Sequence, residues 1–382
     1  MPLRDFAPML GQYLGKTWAM LKEQSMRMSV RIIAGALMLA LAASAAAAQA
    51  PFFQSKQLRV MVGFPPGGGT DLYGRVIADG FVRHVEGKPT VIVQNMPGAG
   101  SVIAMNNYIN RVPHDGTTVL VGTGQLLVRL LLGLDGARAK VSDFTALVAT
   151  PMGRITYASR PSGIKSAKDM LSPSEPLVLG VPEVISTIDA VLGLTVLKVK
   201  FRSVAGYPGK NDVRLALLRN ETNLDSQATP IFEQSVRPTV KEGQAVPLFA
   251  QGFMDGDRLV RDTAARDVPS VGEVYREIHG VEPSGPEWES YKAVARAIGN
   301  GGKILMLHSD APAAARTPLK QAIEAMTRDP EYLKVAESVL EGYGFSTGER
   351  LEANIAAIGR MDAASIAWLQ DLLSREFRMR FH

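Results

Sequence analysis

The sequence predicts an α/β fold in which short buried strands alternate with amphipathic helices. Three apolar runs, at residues 58–64, 90–94 and 118–122, are each followed by a glycine-bearing loop and then by a helical pattern. Such repeated β-loop-α units favour a parallel sheet with helices on both faces. The length of 382 residues indicates two or three compact units.

A second unit is predicted to begin near residue 151, where a new series of short apolar runs starts. Its expected strands are 155–159, 177–181, 199–204 and 246–251, and the charged stretch 255–268 is expected at the surface. The glycine-rich stretch 299–303 precedes a strand rather than a helix, so we interpret it as a turn and not as a phosphate loop. The remaining expected elements are a buried strand at 303–308 and helices at 313–327, 331–341 and, as one long helix, 349 to about 375.

The composition excludes several classes of function. The chain has no cysteine, which rules out disulfide scaffolds, thiolate metal sites and cysteine nucleophiles. The formal charge is +5, but residues 1–50 hold much of it, and 37 basic and 35 acidic residues remain without them. The basic balance therefore gives no reason to expect nucleic-acid binding.

The N-terminal segment has the pattern of a secretory signal peptide. Arg27 and Arg31 precede an apolar core at residues 32–48, and an A-x-A cleavage motif ends at Ala50. We expect cleavage near Ala50 and export to the periplasm, with residues 1–25 as an extension if translation starts at an internal methionine. A membrane anchor is the alternative, although the segment is rich in alanine and marginal in length for a span.

The sharpest local motif is the loop at residues 64–71, which joins the first strand to the first helix. Its three glycines leave the main chain uncovered, so a ligand can approach the backbone closely. Thr70 is the expected N-cap, and the unpaired N–H groups and dipole of the helix N-terminus suit a carboxylate or a phosphate. The loop matches neither the P-loop nor the dinucleotide fingerprint. A tight turn that binds nothing is the alternative.

Two more polar loops, at residues 95–101 and 122–125, follow the next two strands. Ligands of open α/β sheets bind beyond the carboxyl ends of the strands, so the three loops point to one surface. Within them, Ser101 is expected to cap the next helix, and Asp71 to stabilise the first turn of its own. Arg129 and Arg202 are two arginines that could balance the charge of an acidic ligand, unless they are solvated surface groups.

Catalytic and metal-binding patterns are not found. No two of the five histidines have the i, i+4 spacing of a metal site, and no carboxylate cluster surrounds them. The G-x-S-x-G elbow of serine hydrolases is missing too. We therefore expect no cofactor, no metal and no enzymatic activity.

Three segments in this order and spacing resemble the first lobe of the Bug-type solute-binding receptors of tripartite tricarboxylate transporters. They are LRVMVGFPPGGGTD at 58–71, VIVQNMPGAGS at 91–101 and PHDGTTVLVGT at 113–123. In the second unit the resemblance is weaker, at residues 179–187 and 267–273. It implies a two-lobe, periplasmic-binding-protein-like (type II) α/β fold whose cleft holds a small acid such as a dicarboxylate or tricarboxylate.

The resemblance also implies lobe boundaries, site residues and partners. Lobe 1 is expected at residues 51–150 and 303–382, and lobe 2 at 151–302. The expected partners are the small acid and membrane permease subunits, and the receptor is expected to be a monomer. The expected ligand-binding residues are Phe64, Pro65, Gly67, Gly68, Gly69, Thr70, Asp71 and Thr123 from lobe 1, and Val181, Pro182, Ser186, Thr187, Ser226 and Gln227 from lobe 2.

Two other functions remain open at the level of sequence. The same fold could serve as a sensing module that reports its ligand to a signalling partner instead of a permease. A secreted hydrolase or lyase on a similar fold is the other alternative, and it would need a nucleophile and base that the sequence does not reveal.

Overall fold

The computed structural model describes residues 50–381 except residue 135, together with Trp18. Contacts divide the chain into the units Met1–Pro51 and Phe52–His382, and the fold below is that of the second. The predicted signal peptide lies almost wholly outside the described residues. None of the helices in the described part combines the length and the apolar character that a membrane span needs.

The first segment of the fold, up to residue 150, alternates strands and helices. Its elements are β1 (Gln57–Val62), α1 (Gly69–His84), β2 (Thr90–Asn95), α2 (Val102–Arg111), β3 (Thr118–Thr123), α3 (Gly124–Leu132) and β4 (Phe144–Thr150). Short 3-10 turns precede α2 and β4, at Ala99–Ser101 and Val141–Asp143.

The middle segment contains a second set of strands with helices between them. Its elements are β5 (Arg154–Ser159), β6 (Leu177–Val181), α4 (Ile188–Val196), β7 (Phe201–Ala205), α5 (Lys210–Leu218), β8 (Leu224–Ala228), α6 (the consecutive pieces Thr229–Ile231, Phe232–Val236 and Arg237–Lys241), β9 (Ala245–Ala250), β10 (Phe253–Asp255), β11 (Arg258–Val260), α7 (Val271–His279) and α8 (Pro286–Val294). Helix α8 continues as a π-helix, Ala295–Asn300.

The last segment begins with one strand and is otherwise almost entirely helical. Its elements are β12 (Lys303–His308), α9 (Ala313–Met326), α10 (Pro330–Leu340), β13 (Ser346–Thr347), α11 (Gly348–Ile358) and α12 (Ala363–Phe377). Asp329 caps α10 through bonds from the N–H groups of Glu331 and Tyr332, and Pro330 occupies its first position.

Two sheets form the two lobes. The first has the strand order β13-β4-β12-β3-β1-β2, and the second has the order β7-β6-β8-β5-β9. Strands β1, β2 and β3 are parallel, as the repeated units predict, but β12 runs antiparallel to both β3 and β4. The central strands are buried along almost their whole length, which is typical of sheets covered on both faces.

The segments that join the lobes form a hinge held by buried polar contacts. The N–H of Gly153, between β4 and β5, donates to the hydroxyl of Tyr343 at 3.2 Å. That hydroxyl donates in turn to the carboxylate of the buried Asp262 at 2.9 Å. A Cβ at Gly153 would lie 1.8 Å from this carboxylate, so only glycine fits at the crossing.

Three expectations about secondary structure are wrong. Strand β4 is not among the expected strands, although Gly136 precedes its short apolar run and Pro151 follows it. The closing helix is broken at residues 359–362 into α11 and α12. The stretch 255–268 is not simply surface, because β10 and β11 pair as a hairpin and Asp262 is fully buried.

Candidate functional site

A cavity of about 270 Å³ lies between the two lobes. Its walls come from the carboxyl ends of the first-lobe strands, the loop after β6 and the segment that returns to β12. The lining residues are Phe64, Thr70, Gly100, Thr123, Gln125, Arg129, Met152, Glu183, Ser186, Ile298, Gly302 and Lys303. Four of the expected ligand residues are among them: Phe64, Thr70, Thr123 and Ser186.

The glycine-rich loop before α1 is open on the side where side chains would stand. A Cβ at Gly67 would meet no atom within 4 Å, and one at Gly68 would meet only the carbonyl oxygen of Pro65 at 3.9 Å. A Cβ at Gly69 would lie 3.9 Å from the Nζ atom of Lys303. Bare backbone therefore faces a cation at the edge of the cavity.

Helix α1 begins two residues earlier than expected. Its N-cap is Gly68 and its first residue is Gly69, so the expectation that Thr70 is the cap is wrong. No side chain bonds to the cap N–H groups. The first-turn amides of a helix have no partner within the helix, so these stay available for an anion.

The carboxylate of Asp71 stabilises the glycine-rich loop before α1. It accepts hydrogen bonds from the N–H of Gly67 at 2.8 Å, from Nε of Arg75 at 2.9 Å and from Nδ2 of Asn95 at 2.8 Å. The Asp71 side chain is only 3% exposed. Burial raises the pKa of the Asp71 carboxyl, but the three hydrogen bonds and the charge of Arg75 lower it by more, so its pKa lies below the ordinary value.

The side chain of Arg129, from α3, packs against the backbone of the loop before α2. Ser101 occupies the N-cap position, as expected, but its side chain makes no cap bond and its hydroxyl lies 3.4 Å from the carbonyl oxygen of Gly63. Gly100 adopts a left-handed φ of +59°, and a Cβ there would lie 3.0 Å from Nε of Arg129. The guanidinium therefore packs where a larger residue would stand.

Two ion pairs lie at the cavity. Nη2 of Arg129, from the first lobe, lies 3.0 Å from Oε1 of Glu183, from the second. Nζ of Lys303 lies 2.7 Å from Oε1 of Glu341, and the Lys303 side chain is 6% exposed. Both cations at the cavity thus already have a carboxylate partner.

The loop after β6 brings the second lobe to the cavity. The hydroxyl of Ser186 donates to the carbonyl oxygen of Glu183 at 2.6 Å, and Thr187 is fully buried beside it. Val181 is buried at the end of β6, and Pro182 is half-buried at the turn. Of these expected ligand residues, only Ser186 lines the cavity.

Ser226 and Gln227 lie deeper, in a buried polar network of β8. The amide of Gln227 donates to the carboxylate of Asp225 at 2.8 Å. Nζ of Lys210 donates to the carbonyl oxygen of Ser226 at 3.0 Å. Burial, with help from the nearby Arg154, lowers the pKa of Lys210 to about 8. The structure does not bring either residue to the cavity wall, and their ligand role stays a prediction.

Several lining residues escape sequence reasoning. Lys303 is the first residue of the expected strand 303–308, and β12 has these bounds, but its place at the cavity follows from its pairing with Thr123 across β12 and β3. Met152 and Ile298 lie in the crossing segments, which carry no motif. Of the two proposed counter-charges, Arg129 lines the cavity, whereas Arg202 is exposed on β7. The antiparallel register of β12 and β3 brings Lys303 to the cavity, and no local sequence signal encodes this register.

A histidine pair that the spacing along the sequence does not predict lies at the opposite end of the first sheet. His114 and His308 stack with ring centroids 3.4 Å apart, and Asp310 lies beside them. Burial first, and then the neighbouring His114, lowers the pKa of His308, which favours the neutral form of that ring. One candidate ligand atom each of His114, His308 and Asp310 lies within 4.8 Å of the others, and Nδ1 of His308 accepts the N–H of Asp310 at 3.1 Å.

Comparison with curated proteins finds relatives for part of the chain. It is 41% identical over 85 residues to a UPF0065 protein of Bordetella pertussis, which is 22% of this chain and 25% of that protein. It is also 41% identical over 88 residues to a UPF0065 protein of Cupriavidus necator, 23% of this chain and 26% of that one. The chain thus matches about a quarter of the length of these relatives. No family model matches it.

Solved structures share the whole fold. A TctC solute-binding protein from Polaromonas superposes with a TM-score of 0.63 at 19% identity, covering 84% of this chain and 99% of that one. A Rhodopseudomonas palustris protein with adipate gives 0.56 at 19% identity, with coverages of 86% and 99%. MatC from the same organism, with bound malate, gives 0.52 at 17%, with coverages of 83% and 99%. The predicted two-lobe α/β fold and the resemblance to Bug-type receptors are confirmed.

Proposed function

We propose that this chain, as a protein similar to Bug-type solute-binding receptors, captures a small organic acid in the cleft between its lobes. Delivery to the permease of a tripartite tricarboxylate-type transporter in the periplasm would then follow. The observation that carries the proposal is the open glycine loop at the N-terminus of α1. Thr70, Thr123 and Lys303 line the cavity, and the first-turn amides of α1, which have no partner within the helix, begin at the adjacent Gly69.

The cavity suits capture better than catalysis. Among the residues that line it are hydroxyls and two cations, but no histidine that could activate a hydroxyl as a nucleophile. Oriented N–H groups and hydroxyls are sufficient to bind a carboxylate reversibly. Malate and adipate, the ligands of two proteins with this fold, are both small carboxylates, which supports the same ligand class here.

The test is a thermal-shift titration of the purified protein with mono-, di- and tricarboxylates. A ligand that binds only the folded state raises the melting temperature in proportion to the logarithm of its concentration. We expect at least one small carboxylate to do so. Gly68→Val should abolish the shift, because a Cβ there meets only the carbonyl oxygen of Pro65 at 3.9 Å, so the larger side chain can occupy the open side of the loop.

Gly344→Val is the matched control, since a Cβ there meets no atom within 4 Å and Gly344 does not line the cavity. This variant should keep the ligand response of the wild type. A wild-type protein that responds to no carboxylate at any concentration would refute the proposal. So would a Gly68→Val variant that responds as strongly as the control.

A further inference from the structure

The carboxylate of Glu183 occupies a complete anion-binding position in the second lobe. Its Oε1 atom accepts the N–H of Ile185 at 3.1 Å and lies 3.0 Å from Nη2 of Arg129. Its Oε2 atom accepts the N–H of Ser186 at 3.0 Å, an N–H that also donates to the carbonyl oxygen of Glu183 at 3.1 Å. Two main-chain amides and a guanidinium are the donors with which a protein binds the carboxylate of a ligand.

We infer that Glu183 fills this position from within the chain, so that the cleft accepts a ligand with one carboxylate and rejects a ligand with two. The inference deepens the proposed function and rests on it. The first carboxylate would bind the first-lobe wall, at the start of α1. A second one would have to reach the second lobe, where Glu183 already holds the donors.

The contact with Arg129 distinguishes this arrangement from an ordinary loop cap. A glutamate that only capped its own loop would need no partner outside it. Here the partner comes from α3 in the other lobe, and both groups line the cavity. Arg129 is held in place, because its guanidinium packs against the backbone of Gly100 and its side chain is only 18% exposed.

The charges at the cavity also favour a ligand with a single carboxylate. Arg129 and Lys303 pair with Glu183 and Glu341, so each of the two cations among the described lining residues already has a carboxylate partner. A carboxylate placed beside Glu183 would be a like charge at close range, which disfavours the ionised form of both. The remaining wall of the cavity includes Phe64, Met152 and Ile298, which suit an uncharged or apolar end of the ligand.

The experiment compares ligands that differ only in the second carboxylate. Butyrate and succinate, and hexanoate and adipate, are titrated by calorimetry into the wild type and into Glu183→Ala and Glu183→Gln. We expect the wild type to bind the monocarboxylate of each pair at least tenfold more tightly. Glu183→Ala vacates the position, so the affinity ratio should move at least tenfold toward the dicarboxylate, and Glu183→Gln should move it in the same direction by less.

Glu175→Ala is the matched control, because Glu175 is an exposed glutamate at the opposite end of β6 from the cavity, and it should keep the wild-type ratio. A wild type that prefers dicarboxylates, or an unchanged ratio in both Glu183 variants that still bind ligand, would overturn the inference alone. Failure of the wild type and all variants to bind any of the four acids would be a different result, and it would remove the proposed function along with the inference.

Discussion

In each of the two loops that face the cavity, a carboxylate accepts hydrogen bonds from main-chain amides of its own loop, but the two carboxylates differ in their exposure and in their other partners. In the first lobe, the carboxylate of Asp71 binds the amide of Gly67 in its own loop. In the second lobe, the carboxylate of Glu183 binds the amides of Ile185 and Ser186 in its own loop. The Asp71 side chain is 3% exposed and its other partners belong to the same lobe, whereas Glu183 is 48% exposed and its other partner crosses the cleft.

This difference teaches how the location of a carboxylate decides its role. A buried carboxylate with three local donors is part of the scaffold, because its loss would leave those donors unpaired away from water. An exposed carboxylate with a partner on the opposite lobe adds little to folding but stands where a ligand must pass. Asp71 shapes the open loop, and Glu183 controls what can enter beside it.

The largest expected effect comes from Asp71→Asn, which should destabilise the protein by about 2–3 kcal/mol. The new amide would place an N–H group against Nδ2 of Asn95, which already donates to the carbonyl oxygen of Phe64 at 2.9 Å. Rotation of either amide leaves one buried group unpaired. Denaturant unfolding at neutral pH measures the loss, and a change within about 0.5 kcal/mol of zero would contradict the scaffold role.

A second expectation concerns how the difference in unfolding free energy between the wild type and Asp71→Asn depends on pH. Because the pKa of the folded Asp71 carboxyl is lowered, its charge stabilises the protein above the unfolded pKa of about 3.9. This stabilisation is lost as the pH falls through the lower, folded pKa. The stability gap between wild type and Asp71→Asn should therefore narrow as the pH is lowered from about 5 toward 2. Unfolding curves for both proteins across this range check it, and a gap that widens in acid would count against it.

The smallest expected effect is that of Glu183→Gln on stability, at most about 0.5 kcal/mol. The side chain is half exposed, and its pair with Arg129 competes with water on both sides. Unfolding at low and at moderate salt should give nearly the same small difference from the wild type. A loss as large as that of Asp71→Asn would show that the two loops are both scaffold and would remove the contrast between them.

Much of the first lobe could be predicted from sequence because its signals are local. Strands β1, β2 and β3, their parallel pairing and the polar loops at their ends all follow from apolar runs punctuated by glycine. A hydroxyl cap is the commoner choice, so the sequence predicts Thr70 as the N-cap of α1, but the N-cap is Gly68, which makes no side-chain cap bond. The loops of the second lobe carry fewer glycines, and the prediction there reached the cavity only at Ser186.

By itself, the sequence determined the fold class, the resemblance to a receptor family and the position of the glycine loop, because each depends on neighbours along the chain. Only the tertiary structure decided which charges meet at the cleft. Lys303 reaches Thr123 through an antiparallel pairing, and Arg129 reaches Glu183 across two lobes. Contacts between residues distant in sequence depend on how whole sheets and lobes pack, and no periodicity within a short window encodes that packing.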